Sequence, residues 1–186
     1  MGRFDGEVAF VTGGARGQGR SHAVNLAREG ADVAILDICG QIPCVEYAMS
    51  SDEDLGETAR LIGEAGRRAL PAKGDVRDHA CVEAAVQQTV DELGRLDLVV
   101  ANAGILPTTG EAAHSLDAWH AALDTMLSGV FYTVRAATSV MLRAGVAGSL
   151  VVTASTSSFR GVAYDLDTLN PVRSATARRS TGCSPS

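Results

Sequence analysis

The sequence predicts an α/β fold: a doubly wound parallel sheet with helices on both faces. Three observations carry that prediction. Short apolar runs rich in Val, Ile and Leu recur along the chain, longer helix-period stretches alternate with them, and a glycine-rich turn follows the first run. The runs are VAFVT (8–12), DVAILD (32–37), LDLVVA (96–101) and SLVVT (149–153), with a weaker one inside RALPAKGDV (68–76). They are continuous rather than alternating, which suits strands covered on both faces. Aromatic residues make up only 4% of the chain, so the core has to be built from Ala, Val, Leu and Ile.

The elements follow in order. After the first strand comes VTGGARGQG, and then GRSHAVNLAREG with a helical period. The second strand is followed by residues 38–51, longer than a usual strand-to-helix connection, and such loops disproportionately carry function. Ser51 ahead of Asp52, Glu53 and Asp54 reads as an N-cap with acidic residues in the first turn, where the helix dipole favours them. The next helical stretches, 52–66 and 77–94, end in glycine, which suits the left-handed residue after a helix. Residues 116–145 read as one long helix that also ends in glycine. After Thr153 the pattern fails: residues 154–170 read as a loop, and the stretch after Pro171 has the composition of a disordered segment. The expected organisation is therefore one domain over residues 1–155 with an irregular, disordered tail over 156–186.

Composition excludes several classes of function. At 186 residues the chain is long enough for one domain with a real core. A net charge of −6 argues against general affinity for nucleic acid or an anionic membrane. No run reaches membrane-span length and the N-terminus lacks a signal-peptide core, so a cytoplasmic location is expected. Cys39, Cys44, Cys81 and Cys183 form no CxxC pair and no His/Cys cluster with metal spacing. They read as reduced structural thiols, and no metal site is expected. His22, His79, His114 and His120 are scattered and read as structural or solvated, and Trp119 as a packing anchor.

The glycine turn carries chemistry. Gly13, Gly17 and Gly19, with Arg16 and Gln18 between them, sit directly after a strand and open a helix. Glycine lets the backbone approach a pyrophosphate without a Cβ clash, while the helix N-terminus offers free N–H groups and positive dipole. A tight turn alone would also use glycine, but the strand–loop–helix context points to dinucleotide binding. Asp37 ends the second strand, where a carboxylate accepts from ribose hydroxyls and repels a 2′-phosphate. Arg16 could pair with such a phosphate. Because Asp37 would face the phosphate directly, NAD is expected over NADP.

At these residues the chain resembles the short-chain dehydrogenase/reductase family. Thr12, Gly13, Gly17 and Gly19 meet its TGxxxGxG pattern, Asp75 and Val76 its acidic residue after the third strand, and Asn102, Ala103 and Gly104 its NAG motif. The resemblance runs from about Gly2 to Ser155. It implies a Rossmann-type NAD(P)-binding fold in which Asp75 and Val76 contact adenine, while Asn102 to Gly104 support the central strand and line the cofactor. GARGQGRSHAVNLAREGADVAILDIC, a long insertion, and then GRLDLVVANAGI resemble more closely the mycofactocin-associated, carveol dehydrogenase-like branch. That likeness implies tightly held NAD, with loop 38–51 as its cover.

The resemblance also implies hydride transfer between NAD and a small-molecule alcohol or ketone, using a serine, a tyrosine, a lysine and an asparagine. Ser155 matches the serine, but Met126 stands at the asparagine position, and a thioether cannot hold a water relay. The tyrosine position is Thr168, Tyr164 comes too early, and no lysine follows Lys73. Arg173 and Arg178 are poor substitutes for an ammonium. An unperturbed tyrosine has a pKa of about 10 and needs a neighbouring cation to act as a base at neutral pH. Three readings stay open: an active oxidoreductase, a catalytically silent NAD-binding protein, and a truncated or frameshifted product without function. Family members form homo-oligomers and complete their sheet after the tyrosine. On that comparison this chain is expected to be incomplete at its C-terminal side, to leave apolar surface on 117–144 and 149–153 uncovered, and to be a doubtful oligomer.

Overall fold

Strand β1 (Val8–Thr12) lies at the centre of a five-stranded parallel sheet. On one side it pairs with β2 (Asp32–Asp37), and β3 (Ala69–Lys73) pairs outside β2. On the other side it pairs with β4 (Leu98–Ala101), and β5 (Ser149–Val152) pairs outside β4. The order β3-β2-β1-β4-β5 reverses direction between β1 and β4, which is the switch point of a doubly wound sheet. The structure, a computed structural model, describes residues 2–107, 113 and 115–155.

The continuous apolar runs have a direct explanation. Val8 and Phe10 of β1 join Ala34, Leu36 and Val99 under α3 (His79–Leu93) and α5 (Gly129–Ala144). Ala9 and Val11 point the other way, joining Val33, Ile35 and Val100 under α1 (Gly17–Arg28) and α2 (Asp52–Glu64). Successive strand residues alternate between two buried faces, so the sequence shows no alternation. Small residues on the helices, such as Ala23 and Ala27 of α1 and Ala136 and Ala137 of α5, let these layers approach closely.

The caps agree with the sequence. Ser51 and Asp54 form a capping box at α2, the Ser51 hydroxyl accepting from Asp54 N–H at 3.2 Å and the Asp54 carboxylate from Ser51 N–H at 3.1 Å. Helices α3 and α5 end at Gly94 and Gly145, both left-handed.

Three elements differ from expectation. Residues 116–145 are not one α-helix: α4 (Leu116–Leu123) passes through a π-helical turn at Asp124–Ser128 before α5 begins. Backbone angles stay helical across both junctions, so periodicity alone does not reveal the inserted residue. Strand β3 stops at Lys73, leaving Gly74, Asp75 and Val76 beyond the sheet. Strand β5 was expected to be buried, yet Leu150, Val151 and Val152 are 40%, 55% and 50% exposed among the described residues. The expected uncovered apolar surface is thus present there, and on the helical side at Leu127, Phe131 and Leu142.

Two buried acids pin the strand starts. The Asp97 carboxylate accepts from Val8 N–H at 2.9 Å and is paired with Arg95 at 2.7 Å. Asp32 accepts from Arg68 N–H at 2.9 Å and from its guanidinium at 2.6 Å, with Arg67 at 3.1 Å. Burial pushes the Asp32 carboxyl up, but the Arg68 hydrogen bonds and the two arginine charges outweigh it and hold the group below its ordinary value.

Two stability predictions follow from this packing. Replacing the fully buried Phe10 with alanine should cost about 3–5 kcal/mol in denaturant unfolding. A depressed carboxyl stabilises the fold above its unfolded-state pKa of about 3.9, and that contribution disappears as pH falls through the lower folded value. Asp32→Asn should therefore lower Tm at pH 7, and its gap from the parent chain should close as melts are taken below pH 4.

Candidate functional site

A cavity of about 310 Å³ opens at the C-terminal ends of β1, β2 and β4. It lies at the switch point, where open α/β sheets bind ligands. Gly13, Arg16, Gly17, Gln18 and Gly19 form one wall. Asp37, then Gly74 to Val76, and then Asn102 to Ile105 follow from successive strand ends. Ile42, Tyr47, Met49 and Ser50 come from the long connection after β2, and Thr125 from the π-helical turn. The structure therefore brings together all but two of the residues expected to touch cofactor or substrate: Thr12 lies just beneath the wall, and Ser155 is exposed beyond β5.

The glycine wall is tight for steric reasons. A Cβ on Gly19 would lie 1.9 Å from the Gly13 carbonyl oxygen, so any side chain there would force the loop away from α1. Gly13 has φ +66°, and its Cβ would be 2.9 Å from Ala103 Cα. Thr12 closes the same contact from below, its hydroxyl accepting from the N–H groups of Asn102 (3.0 Å) and Ala103 (3.1 Å). Asn102 in turn donates to the Thr12 carbonyl at 3.1 Å, and its side-chain oxygen accepts from Thr153 at 3.2 Å.

Helix α1 starts differently from its neighbours. Ser51, Asp78 and Ser115 each cap α2, α3 and α4 through a side chain, whereas no side chain caps α1 and its first turn holds no acid. Uncapped N–H groups with the positive end of the dipole, facing a cavity, make an anion site.

Asp37 is buried and already engaged. One carboxylate oxygen accepts from the Ser50 hydroxyl (2.5 Å) and Cys39 N–H (3.2 Å), and the other from Ala15 N–H (2.9 Å). A carboxylate offers about four acceptor positions, so roughly one remains. Asp75 is held by Arg77 through its backbone N–H (2.9 Å), Nε (2.8 Å) and Nη2 (2.6 Å).

The connection 38–51 is built as a cover. Gln41 staples it internally, donating to the Val45 carbonyl at 2.5 Å and accepting from Met49 N–H at 3.2 Å. The Tyr47 hydroxyl accepts from Leu106 N–H at 3.0 Å, reaching across to the segment after β4. Ile42, Cys44 and Val45 bury against Ile105, Ala118 and Ala121. Arg20 secures the other side by donating to the Ala15 carbonyl (2.6 Å), Thr58 (2.8 Å) and the Asp54 carbonyl (2.9 Å). Sequence reasoning did not single out Arg20, Gln41, Tyr47, Ser50, Thr58 or Thr125, since none belongs to a motif. Only the unusual length of 38–51 pointed to some of them.

The remaining expectations divide. Met126 is 46% exposed, with its thioether 3.9 Å from the point a Cβ on Gly104 would occupy. Trp119 is no packing anchor: it is 60% exposed on α4. His79 meets Tyr132 edge-on at 5.1 Å and Glu83 at 3.0 Å. Among the described residues no cluster could hold a metal, and Cys39, Cys44 and Cys81 are free thiols. His114, Tyr164, Thr168, Arg173, Arg178 and Cys183 lie outside the described residues.

A family model described as short chain dehydrogenase matches residues 7–165. The chain belongs to the short-chain dehydrogenase family. An uncharacterized oxidoreductase of Mycobacterium tuberculosis is 44% identical over 160 residues, covering 86% of this chain and 57% of that protein. (−)-trans-Carveol dehydrogenase of Rhodococcus erythropolis is 39% identical over 165 residues, covering 88% and 59%. Among solved structures, carveol dehydrogenase from Mycobacterium avium in complex with NAD aligns with a TM-score of 0.81 at 44% identity, covering 87% of this chain and 58% of that one. A short chain dehydrogenase from Mycobacterium paratuberculosis bound to NAD gives 0.83 at 37% identity, covering 90% and 62%. The expected likeness to carveol dehydrogenases is borne out. The chain spans under two thirds of the length of these family members.

The engaged Asp37 has a chemical consequence next door. Burial, reinforced by the Asp37 charge, pushes the Cys39 thiol up to about 11, so it stays neutral at physiological pH. In iodoacetamide labelling at pH 8 followed by peptide mass spectrometry, Cys39 should react roughly a hundredfold more slowly than an ordinary exposed thiol.

Proposed function

We propose that this chain is the NAD-binding part of a short-chain oxidoreductase acting on a small alcohol or ketone. The observation that carries the reading is the uncapped N-terminus of α1 behind a glycine wall that admits no Cβ, inside a cavity lined by Asp37. Those features fit a dinucleotide. The α1 N–H groups would face the pyrophosphate, and the remaining acceptor position of Asp37 would take a ribose hydroxyl. The Asp37 charge would repel a 2′-phosphate, so NAD is the expected cofactor despite Arg16 on the wall. Asn102, Ala103 and Gly104 hold the floor, Asp75 and Val76 border the base, and loop 38–51 excludes water from above. The NAD complexes of the two mycobacterial relatives support this reading.

When bound, NAD supplies the hydride acceptor at its nicotinamide. Within this chain, Ser155 is the residue proposed to position the substrate oxygen. Met126 offers no anchor for a water relay, and the position matching the family tyrosine holds Thr168, whose hydroxyl lacks the acidity of a phenol. Those two substitutions favour the second reading, in which the chain binds NAD without turning substrate over. No described helix is long and apolar enough to cross a membrane, and we assign the protein to the cytoplasm.

Thermal melts with added dinucleotide test the proposal. NAD at a hundred times its Kd should stabilise the fold by about 2.7 kcal/mol. For a domain of this size that is a rise in Tm of roughly 5–10 °C. NADP should give a clearly smaller rise at equal concentration, and Gly19→Val should abolish both. No shift at millimolar NAD would sink the proposal. An assay for alcohol-dependent NADH formation separates the two readings, and we expect none from this chain.

A further inference from the structure

The glycine wall is held from two sides by one short segment at the end of the cover. Ala15 is fully buried between Gly14 and Arg16, and both of its backbone polar groups are claimed from outside the turn. Its N–H donates to Asp37 at 2.9 Å, and the other Asp37 oxygen accepts from the Ser50 hydroxyl at 2.5 Å. Its carbonyl accepts from Arg20 through Nε (3.0 Å) and Nη2 (2.6 Å), and from the Thr58 hydroxyl at 2.7 Å. The same guanidinium donates to the Asp54 carbonyl at 2.9 Å and meets its carboxylate at 3.3 Å. The Asp54 carboxylate in turn accepts from the N–H of Ser51, the neighbour of Ser50. The circuit closes: Ala15 N–H reaches Ser50 through Asp37, and its carbonyl reaches Ser51 through Arg20 and Asp54.

This circuit surrounds the least restrained backbone of the site. With Gly13, Gly14 and Gly17 on either side of Ala15 and Arg16, the turn has few torsional limits of its own. Its shape has to be imposed from outside. A loop already held in its binding shape loses less freedom when a ligand arrives, and the ligand binds more tightly for that reason. Arg20 suits the task. Its side chain is only 27% exposed, and its planar fork grips one carbonyl through two N–H groups, a geometry an ammonium cannot copy. It does not line the cavity, so any influence on a ligand passes through Ala15. Resting on the NAD reading above, we propose that Arg20 is a positioning residue for the cofactor. It holds the glycine wall in its binding shape and ties that shape to the end of the cover at Ser50–Asp54.

Arg20→Met keeps the apolar stem and removes the fork. Its NAD affinity, measured by titration calorimetry, should fall about tenfold. In the cofactor-free variant, hydrogen–deuterium exchange should rise at residues 13–17 and 50–54 and stay at the parent rate in β1 and β4. Arg20→Lys should not recover the affinity. Thr58→Val, which withdraws one donor from the same carbonyl and leaves the fork, should cost about threefold in affinity, and Thr58→Ser should recover it. Unchanged NAD affinity in Arg20→Met would overturn the proposal. So would faster exchange across the whole sheet, which marks a general loss of stability, or full recovery in Arg20→Lys, which marks a charge effect alone. Should Arg20→Met fail to fold, the Thr58 variants decide: Thr58→Val binding NAD as tightly as the parent sinks the proposal. A parent chain that bound no NAD would end the cofactor reading itself, an outcome distinct from a parent that binds and an Arg20 variant that binds equally well.

Discussion

The contact between the end of β1 and the end of β4 is the constraint on which the site depends. Thr12 accepts from two consecutive N–H groups of the β4 exit, while Gly13 lies too close to Ala103 for any side chain. Two strands that diverge at the switch point are thereby fastened where the sheet would otherwise open. The fastening fixes the floor of the cavity and the start of the glycine wall together. A third strand end joins them, because Gly13 N–H donates to the Leu36 carbonyl at 2.8 Å. Three segments far apart in sequence thus meet within the length of one tripeptide.

Asp37 plays a second organising part. In a parallel sheet the strand end is where backbone donors run out of partners, and a carboxylate placed there can collect them. Asp37 collects one from the glycine wall, one from its own turn and a hydroxyl from the far end of loop 38–51. The loop is consequently tied down at both ends and stapled in the middle by Gln41. The cover and the end of β2 share one charge, so a change in either reaches the other. Arg20 serves the opposite wall, joining the loop after β1 to α2 through the Ala15 carbonyl, Thr58 and Asp54.

The apolar surface is distributed unevenly. The centre of the sheet is covered on both faces, while β5 presents Leu150, Val151 and Val152 to solvent and the helical side presents Leu127, Phe131 and Leu142. Among the described residues β5 is the outermost strand, and three exposed apolar residues in a row there offer hydrophobic surface for association. At the cavity, by contrast, side chains tie the strand ends together, while the α1 N-terminus has no side-chain cap and the Thr125 hydroxyl no partner among the described residues.

The sequence by itself determined the sheet, the helix ends and the glycine wall of the cavity. Those features depend on short-range chemistry: unbroken apolar runs for strands buried on both faces, Ser51 and Gly94 for caps, Gly13 and Gly19 where no Cβ fits. Ser155 and Met126 could be placed from motif spacing, but nothing local showed whether they reach the cavity. Only the tertiary structure decided how full the acceptor positions of Asp37 and Asp75 already are, that Gln41 and Tyr47 hold the cover, and that among the described residues one of five buried threonines, Thr125, has a side-chain oxygen without a partner. Hydrogen-bond saturation depends on which donors arrive from remote segments, and residue type records only what a side chain is able to bond. The π-helical turn escaped notice for a related reason. A single inserted residue leaves the local backbone helical, and its effect appears only in which side chains the turn brings to the cavity.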